Sequence, residues 1–191
     1  MENLPDEIFF EIFNFCERLD LLNLTLVCKR YNELISNNSH LMKALTIDIR
    51  RNHDNSHEWN GTRKYCKISI HKMHREVPKI LEAIRNDLTY LRLMKVSLDA
   101  TYFKQFLMTC PKLIVLAMLD VDFNFGDGCF DEPLPKLELD VLACGSDRNI
   151  LRMLMNSQTK MYTSYRVKTE PGEFESLTNF MKVQKKLVEI K

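Results

Sequence analysis

Glycine is scarce in this chain, with five residues in 191, and this scarcity bears on function. Loops that cradle phosphates use closely spaced glycines, as in Gly-x-x-x-x-Gly-Lys or Gly-x-Gly-x-x-Gly, because backbone amides must approach the phosphates. The sequence has neither pattern, and it lacks the Gly-x-Ser-x-Gly elbow of many hydrolases. We therefore expect that the chain is not an enzyme and takes no cofactor.

Long apolar runs and paired cysteines are missing as well. No stretch approaches the roughly 20 apolar residues of a membrane-spanning helix, and the acidic start Met-Glu-Asn-Leu-Pro is not the pattern of a secretory signal. The six cysteines show no Cys-x-x-Cys spacing, so we expect reduced thiols. These absences predict a cytoplasmic or nuclear protein that does not bind membranes.

Neither sign of charge is in excess, since 27 Lys and Arg residues face 26 Asp and Glu residues for a net charge of +1. Nucleic-acid binding depends on concentrated positive charge, because phosphates must be neutralised along the strand. No segment of the chain has that concentration. We expect no nucleic-acid partner.

All five histidines lie between residues 40 and 74, around Cys66. Imidazole and thiolate are ligands that zinc prefers, which makes a zinc site the alternative to consider. The spacings match no closed zinc motif, and the stretch from residue 52 to 62 is polar and rich in turn-forming residues. We expect solvated loop histidines and no metal site.

The N-terminal part of the chain instead carries the pattern of consecutive short helices. Pro5 suits a first helical turn because it has no N–H to leave unpaired. Apolar residues then recur at three- and four-residue spacing, and Asp20 is a suitable N-cap for a second helix starting at Leu21. A polar stretch from Ser36 to Ser39 ends the pattern.

This order of residues resembles an F-box, the helical module that joins a protein to an SCF-type ubiquitin ligase through a Skp-type adaptor. The positions that match are Leu4, Pro5, Glu7, Ile8, Ile12, Phe13, Asp20, Leu21, Val27, Cys28, Lys29 and Asn32. Tyr31 and Met42 depart from the pattern, because tryptophan is common at both places. An ordinary helical N-terminus that packs on the rest of the chain is the alternative.

The resemblance implies a three-helix F-box over residues 1–45 that binds the Skp-type adaptor and, through it, a cullin. The residues that it assigns to adaptor binding are Leu4, Pro5, Glu7, Ile8, Ile12, Phe13, Leu21, Cys28 and Tyr31.

A leucine pattern recurs at similar steps in the second part of the chain. Leu88-x-x-Leu91-x-Leu93 is followed by Leu113-x-x-Leu116-x-Met118 and then by Leu134-x-x-Leu137-x-Leu139. Helical patterns lie over 77–84, 102–107, 150–155 and 174–183, with weaker strands at 65–70, 162–167 and 187–190. This alternation resembles leucine-rich repeats, in which each unit buries its leucines against the next. A doubly wound α/β fold is the alternative.

The predicted fold class is therefore α+β: a three-helix F-box followed by a short α/β leucine-rich-repeat solenoid with parallel strands. The predicted boundaries are an F-box over 1–45, a linker over 46–64, and about five repeats over 65–191, the last incomplete.

Residues between the leucines of such repeats line the concave face, which here has an apolar centre and charged flanks. That composition is typical of protein-binding surfaces. The residues predicted to contact a substrate protein are Tyr90, Arg92, Met94, Val115, Leu119 and Glu138. The sequence thus predicts a substrate-recognition subunit of an SCF-type ubiquitin ligase, and the alternative is a repeat scaffold that does not direct ubiquitination.

Overall fold

The computed structural model describes residues 4–49, 65–71, 73, 77–164 and 172–191. The chain begins with four short helices: α1 (Asp6–Asn14), α2 (Arg18–Val27), α3 (Lys29–Asn37) and α4 (Ser39–Ala44). Three helices were expected here. The fourth arises because Asn38 ends α3 and caps α4. The Asn38 side-chain oxygen accepts hydrogen bonds from the N–H groups of His40 and Leu41 at 2.9 and 3.1 Å.

The sequence predicted that Asp20 caps a helix starting at Leu21, and this prediction is wrong. The helix starts at Arg18, and Asp20 lies within its first turn. There its carboxylate accepts a hydrogen bond from the Glu17 N–H at 3.3 Å. A carboxylate in the first turn serves the same end as an N-cap, because both satisfy N–H groups that have no partner within the helix.

Strands and helices alternate through the rest of the chain. The strands are β1 (Ile47–Ile49), β2 (Lys67–Ile70), β3 (Tyr90–Met94), β4 (Ser97–Asp99), β5 (Val115–Leu119), β6 (Asp122–Asn124), β7 (Glu138–Cys144), β8 (Gln158–Ser164) and β9 (Glu189–Ile190). The helices among them are α5 (Val77–Ile84), α6 (Ala100–Met108), α7 (Arg148–Met153) and α8 (Glu173–Val183). The helical prediction is confirmed at all four places, with ends that differ by a few residues.

Seven of these strands form one parallel sheet in the order β1-β2-β3-β5-β7-β8-β9. In the described part of the chain this order follows the sequence without reversal, whereas a doubly wound sheet changes direction part-way across. The strands β4 and β6 pair separately, also in parallel. The fold is thus a mixed α/β arrangement of N-terminal helices followed by a parallel sheet.

One row of apolar residues runs across the whole sheet and forms the centre of the core. The paired residues are Ile47, Ile68, Leu91, Leu116, Leu142, Tyr162 and Ile190. The first six are at most 2% exposed, and they join buried residues of α5 to α8 in a single apolar core. Because side chains alternate along a strand, the residues between these point to the opposite face of the sheet, which we call the open face.

A structural repeat follows two neighbouring strands. Lys95 and Asp120 come directly after β3 and β5, and both have left-handed backbone, with φ of 52° and 50°. The Lys95 N–H donates to the Leu119 carbonyl oxygen at 2.9 Å. Each turn leads into a short strand, β4 or β6, so the two segments repeat the same path at the step that the leucine pattern predicted.

The predicted register of the next strand is wrong. Leu137 was expected to align with Leu116, but the residue that pairs with Leu116 is Leu142. The motif in the strand is therefore Leu139-x-x-Leu142-x-Cys144. Prolines explain the difference, because Pro133 and Pro135 flank Leu134 and cannot donate the N–H bonds that a central strand needs.

The strand after it also lies earlier than predicted. Tyr162, not Tyr165, pairs with Leu142 and fills the buried position. The predicted residues Tyr165 and Val167 lie outside the described residues. The final strand, expected at 187–190, is confirmed at Glu189–Ile190 and pairs with β8 at the edge of the sheet.

The segment predicted as a linker over 46–64 contains the first strand of the sheet. In β1, Ile47 pairs with Ile68 of β2, and Ile49 pairs with Ile70. The alternation Ile47-Asp48-Ile49 is a strand pattern that the sequence offered and the interpretation missed. The remainder of the predicted linker, 50–64, lies outside the described residues.

Candidate protein-binding surfaces

Two surfaces merit attention as binding sites: the exposed apolar residues of the N-terminal helices and the open face of the sheet. On α1, Ile8 and Ile12 are 45% and 48% exposed, and Phe15, which follows the helix, is 88% exposed. Their spacing of four and three residues places them on one side of α1. Leu4, just before the helix, is also exposed.

A second exposed stripe lies on α2. Leu19 and Leu26 are exposed and seven residues apart, so they share one side of the helix, and Val27 is exposed beside them. We call the exposed residues of both helices the N-terminal apolar face: Leu4, Ile8, Ile12, Phe15, Leu19, Leu26 and Val27. The sequence interpretation assigned only the first three, although Phe15 continues the spacing of Ile8 and Ile12.

Two residues assigned to adaptor binding lie in the interior instead. Phe13 is 2% exposed and Leu21 is 1% exposed. Phe13 contacts the ring of Tyr31, with 5.5 Å between ring centroids, and Phe9 lies 5.1 Å from the same ring. Phe13 and Leu21 therefore hold the helices together and are not free to contact another protein. An apolar residue of a helix packs inward or faces outward according to its neighbours in space, which spacing along the chain does not reveal.

The remaining assigned residues lie at or near the surface. Pro5, Glu7 and Cys28 are exposed, and Tyr31 is half-buried. Cys28 also has a local structural role, because its sulfur accepts from the Tyr31 N–H at 3.5 Å at the start of α3.

Arg30 fixes the corner at which α1 begins, and the sequence interpretation missed it. Its guanidinium donates to the Leu4 carbonyl oxygen at 2.7 Å and to the Asp6 carboxylate at 2.6 Å. The same group lies over the ring of Phe9, 4.8 Å from its centroid. These contacts hold Leu4 and Pro5 in a defined position relative to α3. No sequence signal paired residue 30 with residues 4 and 6.

On the open face, one row of residues has an apolar centre and charged ends. The residues paired across the strands are Lys67, Tyr90, Val115, Val141, Met161 and Glu189. Next to it runs a row of mostly small residues, namely Asp48, Ser69, Arg92, Ala117, Ala143 and Thr163. Met94 and Leu119 pair with each other on the far side of that second row.

Five of the six predicted substrate residues thus share the open face, and Glu138 does not belong with them. Tyr90, Arg92, Met94, Val115 and Leu119 are half-buried side chains on β3 and β5. Glu138 pairs in register with Gln158 at the start of β7 and forms an ion pair with Lys186. The residue at the position predicted for Glu138 is Ala143, which pairs with Ala117, because the register of β7 differs by five residues from the prediction.

The buried cysteines are packing residues. Burial raises the pKa of the Cys110 thiol to about 11 and that of the Cys144 thiol to about 12, so both are protonated near neutral pH. Burial likewise raises the pKa of Tyr162, whose hydroxyl oxygen lies 3.9 Å from the Cys144 sulfur. Such thiols are poor nucleophiles, because the thiolate is the reactive form.

The histidines and carboxylates form no metal site among the described residues. No group of three or more His, Cys, Asp or Glu side chains there could hold a metal ion, whereas His53, His57 and His74 lie outside the described residues. His71 pairs with the Asp48 carboxylate at 3.3 Å and with the Ser69 hydroxyl at 3.1 Å.

A pocket of about 420 Å³ opens where β5 and β7 end, and its lining is acidic. Asp120, Asp122, Asp147 and Glu173 contribute carboxylates to it, and Glu173 accepts a hydrogen bond from the Ser146 hydroxyl at 3.1 Å. Asp147 also caps α7.

No helix in the described parts of the chain is long and apolar enough to cross a membrane.

Comparison with known proteins identifies the N-terminal helices. No curated protein matches the chain. The family model described as F-box-like matches residues 1–48, which span α1 to α4 and the start of β1. Residues 1–48 are therefore an F-box-like domain, which supports the interpretation of this chain as an F-box protein.

Proposed function

We propose that this chain is a substrate-recognition subunit of an SCF-type ubiquitin ligase. Its F-box-like domain binds a Skp-type adaptor and, through it, a cullin, while the parallel sheet binds a protein substrate. The chain itself catalyses no reaction in this proposal, since it holds the substrate near the subunits that transfer ubiquitin.

The observation that carries the proposal is the N-terminal apolar face on a domain of the F-box-like family. F-box domains generally bind Skp-type adaptors. Leu19 and Leu26 on α2 are 69% and 82% exposed, and with Phe15 they leave a large apolar area in water. Extended apolar surfaces on small domains are typical of protein interfaces. We assign adaptor contact to this face together with Pro5, Glu7, Cys28 and Tyr31, and we leave out the buried Phe13 and Leu21.

For the sheet, we propose a short leucine-rich-repeat solenoid. Three features support it: the strands stack in chain order, the buried row repeats one position per strand, and the turns at Lys95 and Asp120 adopt the same backbone. The substrate surface in this proposal is the open face, which includes Val141 of β7 and leaves out Glu138.

The proposal is tested by affinity purification of the full chain from cells, with detection of the adaptor and the cullin. We expect a double variant, Ile8→Asp with Ile12→Asp, to lower adaptor recovery at least tenfold, because anchors of an interface commonly contribute about 2 kcal/mol or more. Both side chains are about half exposed, so their replacement should leave the fold intact, which circular dichroism would verify.

A matched control is Ile114→Asp, since Ile114 is 42% exposed but lies next to β5. This variant should capture the adaptor as well as the wild-type chain does. If the Ile8 and Ile12 variant also retains the adaptor, the N-terminal apolar face is not the docking site. If the wild-type chain recovers other partners but neither adaptor nor cullin, the scaffold alternative is correct.

A further inference from the structure

The open face carries positive charge that no described residue neutralises. Arg92 lies half-buried in the middle of β3, and Lys67 lies on the neighbouring strand β2. Among the described residues neither side chain has a hydrogen-bond or ion-pair partner. A half-buried guanidinium without a partner loses hydrogen bonds to water and gains none in return. A bound anion would replace those lost hydrogen bonds.

The acids on or beside this face are, by contrast, already paired. Asp48 is held by His71 at 3.3 Å, and Asp140 forms an ion pair with Lys160 at 2.7 Å. Glu138 pairs with Lys186, and Glu189 pairs with Lys191 at 3.0 Å. The unpaired charge of the open face is thus positive and lies at the β2–β3 end.

Arg92 also lies at one end of a shallow groove that crosses the strands. Its neighbours along the row are Ala117, Ala143 and Thr163, which are small. Larger apolar side chains line one side of this row along β5, β7 and β8, namely Val115, Val141 and Met161, and Met94 and Leu119 line the other side at β3 and β5. The small residues beside these larger ones form a depression, which we call the cross-strand groove.

We infer that the cross-strand groove binds an extended segment of a partner protein in which an Asp or Glu side chain is followed by apolar residues. The carboxylate pairs with the Arg92 guanidinium, which presents a planar fork suited to it, and the apolar residues pack on Val115, Val141 and Met161. The identification of this partner as a ubiquitination substrate rests on the proposed function. The binding of an acidic and apolar segment in the groove does not depend on it.

The dimensions of the sheet set the spacing within this segment. Neighbouring strands lie about 4.8 Å apart, so Val141 on β7 is about 10 Å along the groove from Arg92 on β3. A segment in the polyproline II conformation rises about 3.1 Å per residue with about three residues per turn, so residues three positions apart lie about 9 Å apart on the same side of the segment. The acidic residue and the main apolar residue of the segment should lie about three positions apart.

The test uses the full chain and libraries of synthetic twelve-residue peptides with two fixed positions three residues apart. The first fixed residue is Glu, Gln, Lys or phosphoserine, and the second is Val or Ser. We expect the pair of Glu and Val to be preferred, with about tenfold tighter binding than the pair of Gln and Val, or about 1.4 kcal/mol. Arg92→Gln should abolish the preference for Glu over Gln, and Arg92→Lys should keep part of it.

Arg148→Gln is the matched control, because Arg148 is an exposed arginine at the start of α7. It should leave peptide binding unchanged. The inference is overturned if no peptide binds, if Glu is not preferred, if only phosphoserine is selected, or if Arg92→Gln keeps the preference. Adaptor recovery, measured on the same proteins, separates the two proposals: a chain that selects Glu but captures no adaptor refutes the proposed function alone.

Discussion

Lys104 is a lysine buried in the core, and its contacts explain its place there. Its side chain is 0% exposed, and its ammonium donates to the Cys129 carbonyl oxygen at 2.5 Å and lies 3.4 Å from the Glu132 carboxylate. A buried charge is costly unless hydrogen bonds and an opposite charge compensate it. Lys104 thus ties the long connection between β6 and β7 to α6, beside the ring contact of Phe103 with Phe123.

We expect Lys104→Ala to lower the free energy of unfolding by about 2–4 kcal/mol, since it leaves a cavity and an unpaired carbonyl oxygen. Lys104→Met should cost less, because it keeps most of the volume. Urea denaturation followed by circular dichroism measures both. Lys112→Ala serves as control, because Lys112 pairs with Asp87 at the surface and should contribute less than about 1 kcal/mol. Equal losses for Lys104→Ala and Lys112→Ala would contradict the structural role of Lys104.

The helix α8 and the strand β9 close the C-terminal end of the sheet. Phe180 is fully buried, with its ring 5.9 Å from that of Tyr162, and the Gln184 side chain accepts from the Thr159 N–H at 3.0 Å. Leu177 and Met181 pack partly against the same core. Phe174, in the first turn of the helix, is 74% exposed and does not join this core.

These two phenylalanines make a matched pair for mutation. Phe180→Ala should lower the free energy of unfolding by about 3–5 kcal/mol, the usual range for a buried phenylalanine. Phe174→Ala should change it by less than about 0.5 kcal/mol, since it removes few contacts. Thermal unfolding of both variants checks this. A large loss in Phe174→Ala would mean that its ring is covered in solution.

At the scale of the whole molecule, the F-box-like domain and the sheet share one apolar core. Leu45 and Ile47, which lead from α4 into β1, are 0% and 2% exposed. Arg18 of α2 donates to the Thr46 carbonyl oxygen at 2.6 Å, beside that connection. The strand β1 then pairs with β2, so the two parts are joined by packing and by a sheet ladder. In the proposed function, this joint sets the position of the open face relative to the adaptor.

We therefore expect the helices and the sheet to unfold in one transition. Calorimetry should give equal calorimetric and van 't Hoff enthalpies, and hydrogen exchange should show similar protection for Ile35 in α3 and Leu116 in β5. Leu45→Ala should lower the stability of both parts together by about 2–5 kcal/mol. Two separate transitions, or a loss confined to the helices, would show that the joint is loose.

The sequence by itself determined the local structure of this protein. Pro5 before α1, the alternation of Ile68 and Ile70, and the leucine spacing around Leu91 and Leu116 depend on neighbours within a few residues, so pattern and propensity predict them. The F-box resemblance could also be predicted from the sequence, because it rests on short spacings between residues. The family match over residues 1–48 agrees with it.

Only the tertiary structure decided which faces are buried and which residues meet. Phe13 and Ile12 are adjacent in α1, yet one is core and the other is half exposed, because α3 covers one side of the helix. Two overlapping leucine motifs share Leu139, one over residues 134–139 and the other over residues 139–144. The second motif, which contains no proline, is the one that pairs with β5. Arg30 contacts Leu4 and Asp6, and Lys104 contacts Cys129, although these partners are far apart in the sequence. Such contacts follow from packing in three dimensions, which no local pattern encodes.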